Sequence, residues 1–311
     1  MSNQDADRER KMGQALVVIA AIAWSSAGFF TRLIEADALS MVFWRGIFGG
    51  GFIALYLACH WRWRLIDEIK AMGRAGWLIV LCGVVCLVAF IPALKFTSVA
   101  NVAVIYATTP FMTAALAWLW FREPASFATL FASLLALGGV AIAVSGSTFG
   151  GRGSGDLLGI GLAFVMTLAM ALYMVACRRY RQKSLLPGTA IANLLSAVVI
   201  LPFALPPFVG PADLGYLALF GLCQMAVGAS CFTIGSKMLP AAQSALIGAL
   251  ETPLAPFWVW IAFAEVPSHE TLIGGTIVMT AVLGHILFER LGGGRLTARE
   301  LGRPVGYAKP R

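Results

Sequence analysis

Residues 241–265 read AAQSALIGALETPLAPFWVWIAFAE, and this stretch decides what kind of protein the chain forms. It is apolar over enough length to cross a bilayer, since about 20 residues at roughly 1.5 Å each match a hydrocarbon core of roughly 30 Å. Yet Glu251 sits near its middle, followed by Thr252, Pro253 and then Pro256. A carboxylate at that depth is costly and marks a pathway or a partner. Pro253 has no N–H, so the carbonyl of Ala249 loses its helical donor, and Pro256 does the same to the carbonyl of Thr252. A span with a buried acid beside two freed carbonyls reads as the wall of a cavity.

Similar apolar runs recur along all 311 residues, which are 59% hydrophobic and 12% charged, against about 25% charged in soluble domains. The fold class read from this is an all-α polytopic membrane protein. Membrane-spanning strands would need short segments of alternating polarity, and these are absent from the sequence. The net charge of +8 does not point to nucleic acid, because the basic residues fall between the spans. Cys59, Cys82, Cys86, Cys177, Cys223 and Cys231 lie in or beside apolar runs without a C-x-x-C motif. Core packing accounts for them, and neither a metal nor a cofactor is expected. The start, MSNQDADRERK, reads as a short polar tail, and the apolar run after it as a retained span.

Ten spans are expected, at about residues 14–33, 40–60, 76–96, 100–121, 127–147, 157–177, 188–205, 214–237, 241–263 and 271–291. The Gly-rich connection at 146–156 falls between spans five and six. With the N-terminus in the cytoplasm, 19 of the 23 Lys and Arg residues lie inside. Only Arg32, Lys95 and Arg152 lie outside, and Arg45 lies within span two. The positive-inside rule then places both termini in the cytoplasm.

A shift of 142 residues brings Lys95 onto Lys237, Asn101 onto Gln243, Trp118 onto Trp260 and Glu123 onto Glu265. Pro110 and Pro253 miss this registry by one residue, which calls for a local slip. The chain divides into a first five-helix repeat at 1–147, a second at 155–291 and a cytoplasmic tail at 292–311. Five spans is an odd number, so the halves are inverted relative to one another. Inverted repeats with interrupted helices describe secondary transporters, with the site near the midplane.

Candidate site residues follow from this frame. Ser244, Gly248, Glu251 and Ala255 share one small, polar helical face. Glu251 has three open roles: coupling-proton carrier, ligand to a substrate amino group, or hydrogen-bond partner of a neighbouring helix. Arg45 reads as a structural charge, with a pair to Glu251 left open. Span four mirrors span nine, with Asn101, Tyr106, Thr108, Thr109 and Pro110; Pro110 frees the carbonyl of Tyr106. Span one offers Trp24, Ser25 and Ser26, span six Met170 and Tyr173, and span eight Gln224. Aromatic groups with a few polar ones suit an organic molecule with an apolar body. Pro110, Pro253 and Pro256 are the expected hinges. Gly46 and Gly50 fit small-residue helix packing.

Enzyme chemistry finds little footing. G-x-x-x-x-G-K-[ST] and H-E-x-x-H are both absent from the sequence. His285 in span ten lacks a nucleophile-elbow partner motif and reads as a packed histidine.

Residues 93–126, ALKFTSVANVAVIYATTPFMTAALAWLWFREPAS, resemble the third-to-fourth helix signature of the EamA family in the drug/metabolite transporter superfamily. Residues 243–279, QSALIGALETPLAPFWVWIAFAEVPSHETLIGGTIVM, resemble its second copy. The Trp-Ser pair of span one and the Arg of span two fit the same pattern. The resemblance covers all ten spans and looks closest to YddG-like exporters of aromatic and other neutral amino acids. It implies a multi-pass carrier of the bacterial inner membrane, with a small-molecule substrate and the lipid bilayer as its partners. Glu123 and Glu265 match the family's glutamates at the ends of spans four and nine and look like helix-end marks. Glu251 matches the second-copy glutamate before proline, with Thr252 intervening here, and Thr109 stands at the corresponding place in the first copy. Ser25 replaces the glycine usual after the first-helix Trp.

The expectation is therefore an alternating-access exporter of amino acids. Two halves would rock about a midplane cavity lined by spans one, three, four, six, eight and nine, with spans five and ten peripheral. The apolar side chain of a small zwitterion would lie among Trp24, Tyr106 and Tyr173. Efflux of nucleobases, drugs or other metabolites is a different transport reading, and an intramembrane enzyme or lipid-handling protein a different class.

Overall fold

The computed structural model describes residues 3–61, 65–145, 156–203, 209–264, 266–289 and 291. Among them there is no strand, and nine helical segments are long and apolar enough to cross a membrane. A tenth, α7 (Phe127–Ala143), is shorter, at 17 residues. The protein is an all-α, multi-pass membrane protein.

Span one is α1 (Asn3–Ser25) followed by α2 (Ala27–Leu33). The polar start expected as a tail is thus helical from Asn3 and continuous with the span. Spans two and three are α3 (Ala38–Trp61) and α4 (Leu65–Phe96). Gly73 interrupts α4 with φ 54°, a left-handed conformation that glycine adopts without a Cβ penalty.

Span four is split into α5 (Val99–Tyr106) and α6 (Thr109–Phe121), and α7 is span five. Span six is α8 (Asp156–Arg179) and span seven α9 (Leu186–Ile200). Span eight begins as α10 (Pro211–Phe220), passes through a π-helical stretch at Gly221–Ala229, and ends as α11 (Ser230–Met238). Span nine is split into α12 (Ala241–Gly248) and α13 (Glu251–Phe263), and span ten is α14 (His269–Phe288).

The 142-residue shift holds without any slip. It carries both bounds of α5 onto those of α12, both bounds of α6 onto those of α13, and the start of α7 onto that of α14. Arg122 and Ala264 end α6 and α13 in the left-handed region, at φ 57° and 56°, and are the only non-glycine residues with positive φ among those described. Ser126 and Ser268 cap α7 and α14, each accepting from the N–H three residues on. The one-residue slip expected from the prolines is therefore corrected. Pro110 and Pro253 are the second and third residues of their half-helices, and both places belong to a first turn, where a missing N–H costs little.

Tight approaches hold the helices together. Gly46 and Gly50 lie against α9, where a Cβ would meet Asn193 O at 2.8 Å and Ala190 O at 3.0 Å. α7 and α14 pack on each other at Gly139 and Gly274. An apolar groove of about 560 Å3 runs between them, walled in part by Phe131, Leu135 and Phe288.

The two ends of the bundle differ. At the end that carries the start of α1, here the near end, α12 packs against α1, α6, α7, α8 and α11. Its residues from Ala241 to Ile247 are at most 4% exposed. At the far end, α13 contains no buried residue, and Asn101, Ala103 and Tyr106 of α5 stay partly solvent-accessible. α5 and α12 hold equivalent places in the repeats, yet one is open and the other sealed.

Buried polar contacts close the near end. Glu289, just past α14, pairs with Arg10 of α1 and accepts from Gln14 of α1 and Gln243 of α12. His285 lies 3.6 Å from the same carboxylate and 3.5 Å from the Thr129 hydroxyl. Arg178 at the end of α8 pairs with Glu123 at 3.2 Å and donates to the carbonyl of Lys237. The connection at 146–155, Glu265 and the tail at 292–311 lie outside the described residues.

Candidate functional site

The site forms where the first, fourth and ninth spans break. Pro110 removes the donor to the Tyr106 carbonyl, and the Thr109 hydroxyl takes its place. Pro253 removes the donor to the Ala249 carbonyl, and the N–H of Thr252 donates to it instead at 3.2 Å. Each break is thus satisfied locally, as irregular backbone at membrane depth requires. Pro256 lies inside α13, which continues through it. The interruption expected at Pro256 is not observed.

Span one breaks at Ser26, which the sequence did not announce. The hydroxyls of Ser25 and Ser26 fold back onto the carbonyls of Ile22 and Ala23, at 2.7 and 2.6 Å, and such back-bonding bends helices. Gln224, in the π-helical stretch of span eight, locks the break. Its Nε2 donates to the Trp24 carbonyl at 3.0 Å, and the Trp24 indole donates to the Gln224 carbonyl at 3.1 Å. π-Helical turns recur at functional positions because they re-aim side chains.

Glycines let these spans approach. A Cβ at Gly228 would stand 2.9 Å from the Trp24 ring, and one at Gly221 2.8 Å from the Gly49 nitrogen. That closeness brings Arg45 of α3 to Gln224, whose Oε1 accepts from Arg45 Nη1 at 2.6 Å. The guanidinium also lies 5.5 Å from the Phe220 ring centroid.

Glu251 opens α13. It is surrounded by protein yet keeps partial solvent contact, as do Tyr106, Cys86 and Arg45. Glu251 lies within electrostatic range of Tyr106 and Cys86, and Cys86 within range of Arg45. No hydrogen bond or ion pair reaches the Glu251 carboxylate among the described residues.

Hydrogen bonds thus join Arg45, Gln224 and Trp24, and Trp24, Tyr106 and Cys86 pack against one core cluster that includes Leu250, next to Glu251. The others are placed elsewhere. Tyr173 is 7% exposed, and its hydroxyl bridges Thr189 and Thr233 at 2.9 and 2.7 Å. Met170 is buried beside it. Tyr173 holds α8, α9 and α11 together.

Ser25 is buried and accepts from the Trp258 indole at 2.8 Å, tying α1 to α13. Thr108 donates to Ile105 O at 2.6 Å and Thr109 is buried. Asn101 sits near the start of α5, bonded to Thr97 at 2.9 Å. The shared face of Ser244, Gly248 and Glu251 is divided by the break at Ala249. Ser244 is sealed in the near end and Glu251 faces the open side. Cys86 was read as core packing and Trp258 was not singled out, because nothing in the sequence distinguishes either from packing residues.

The chain is similar to an uncharacterized transporter of Archaeoglobus fulgidus, at 24% identity over 275 residues, covering 88% of this chain and 96% of that one. A solved structure, described only as the crystal structure of a protein, shares the fold with a TM-score of 0.72 at 16% identity. It covers 89% of this chain and 98% of the other. Residues 11–145 and 157–287 each match the EamA-like transporter family. With two copies of that unit spanning most of its length, the chain belongs to the EamA-like transporter family.

Proposed function

We propose that the protein is a secondary carrier that exports amino acids, aromatic and other neutral ones, by alternating access. One observation carries the reading: α5 and α12 are equivalent in the two repeats, yet α12 is sealed and α5 is open. Exchanging their environments generates a second state, open at the near end, without any new fold. The repeats at 1–147 and 155–291 are the moving halves, and the breaks at Pro110 and Pro253 are the hinges.

The Lys and Arg asymmetry supports placing the near end and both termini in the cytoplasm of a bacterial inner membrane. The tail at 292–311 follows on that side. The structure then corresponds to an outward-open state. Trp24, Tyr106, Gln224 and Glu251 form the substrate surface, and a half-helix start beside Glu251 is the kind of element carriers use for polar groups.

The test is uptake of labelled phenylalanine, threonine and methionine into proteoliposomes preloaded with the same amino acid, with protein-free vesicles as control. Saturable counterflow suppressed by unlabelled amino acids is expected. Folded protein without counterflow for any of them would overturn the amino-acid reading and turn attention to nucleobases and drugs.

A further inference from the structure

We propose that Arg45 and Glu251 are the two poles of a zwitterion site, Arg45 receiving the substrate carboxylate and Glu251 its ammonium group; this rests on the carrier reading above. The two side chains are of opposite charge type, and contacts connect their surroundings: Arg45 bonds Gln224, Gln224 bonds Trp24, and Trp24 and Cys86 pack against the cluster that holds Leu250, the neighbour of Glu251. They are not paired with one another, and neither has an ionic partner among the described residues.

Two other pairs of buried or part-buried charges form among the described residues. Arg10 meets Glu289, and Arg178 meets Glu123. Removing one partner of a buried pair leaves an uncompensated charge that costs several kcal/mol, roughly 3–5. A substrate that carries both signs of charge would supply the counter-charges that the described residues do not give to Arg45 and Glu251.

The unused donors suit the assignment. The only acceptor on the Arg45 guanidinium among the described residues is the neutral Gln224 amide oxygen. A guanidinium has about five N–H donors in a planar fork that fits a carboxylate, so most of the fork is unused. Gln224 is itself fixed by its double bond to Trp24.

A zwitterion also leaves the net charge of the interior unchanged, whereas an amine or an acid alone leaves one pole uncompensated. One pole lies in each half of the chain, α3 in the first and α13 in the second. Binding thus joins the two bodies that must move together.

The test is competition binding to purified full-length protein in nanodiscs, using phenylalanine, phenethylamine and 3-phenylpropanoate. Phenylalanine is expected to bind at least tenfold tighter than either analogue. Glu251→Gln should weaken phenylalanine at least tenfold while changing 3-phenylpropanoate less than threefold. Arg45→Gln should do the converse, sparing phenethylamine, and Arg45→Lys should restore part of the preference for phenylalanine. Because the readout is a ratio between ligands on one protein, partial unfolding lowers all three together and leaves it unchanged.

Equal binding of phenylalanine and either analogue by the parent protein would overturn the two-pole site, as would identical behaviour of Arg45→Lys and Arg45→Gln. If counterflow persists in those cases, the carrier reading stands alone. If none of the three ligands binds and no amino acid exchanges, the amino-acid reading falls, and the two poles with it.

Discussion

Thr109 and Glu251 are each the first residue of a half-helix after a break, at equivalent places in the two repeats. Thr109 is buried and its hydroxyl donates to the carbonyl freed by Pro110. Glu251 makes no such bond, keeps partial solvent contact and faces the interior. One position repairs the backbone in the first half and presents an unpartnered charge in the second.

Replacing Glu251 by Thr should therefore stabilise the protein and disable it. Removing an interior carboxyl that has no partner among the described residues is expected to add about 1–3 kcal/mol, read as a higher midpoint of thermal unfolding in detergent. Amino-acid counterflow should be lost in the same variant, the trade-off common at binding sites. A lowered midpoint would show that Glu251 holds the fold.

Glu289 gathers Arg10, Gln14 and Gln243, from α1 and α12, onto one carboxylate. Glu289→Gln should weaken the near-end seal and shift the population towards the state open at that end. The check is labelling of Ser244→Cys by a membrane-impermeant maleimide added from the near side, localised by peptide mass. Position 244 is buried in the parent, so its rate should rise several-fold in the Gln variant. Unchanged labelling would mean that packing of α12 alone keeps the end shut.

A Cβ at Gly139 would meet Gly274 O at 2.8 Å and Val278 at 2.9 Å. Gly139→Val should separate α7 from α14 and cost about 1–3 kcal/mol through overpacking. Thermal unfolding in detergent checks this. A loss below about 0.5 kcal/mol, the usual scale of a neutral surface change, would show that the two helices do not depend on this approach.

Asp37 caps α3, its Oδ1 accepting from the N–H groups of Leu39 and Ser40 at 2.9 and 3.1 Å. Asp37→Ala should cost about 1 kcal/mol, the usual worth of an N-cap. Asp37→Asn, which keeps an acceptor oxygen, should recover most of it. Equal losses in the two variants would place the effect in the charge and not in the cap.

Much of this was legible before any coordinates. The ten spans, the two repeats and the breaks near Pro110 and Pro253 follow from apolar length, residue matches at one fixed shift and the missing proline N–H. These are local properties, set by a residue and its neighbours a turn away. The proline mismatch misled, because a helix begins where its backbone turns, and proline is tolerated at more than one place in the first turn.

Which groups meet was not legible. Tyr173 and Tyr106 look alike in sequence, but the Tyr173 hydroxyl bridges Thr189 and Thr233 while Tyr106 stays partly exposed. Ser244 and Glu251 share a face only if the helix is continuous, and the break sends them to opposite sides of the seal. The sequence by itself determined a multi-pass helical protein with two repeats and an acid in mid-span, because hydropathy and proline chemistry act within one segment. Only the tertiary structure decided which end is closed, and that Arg45 is bound by Gln224 while Glu251 has no partner among the described residues. Those outcomes depend on contacts between residues far apart in the chain, where a small difference in packing free energy chooses between two states of the same fold.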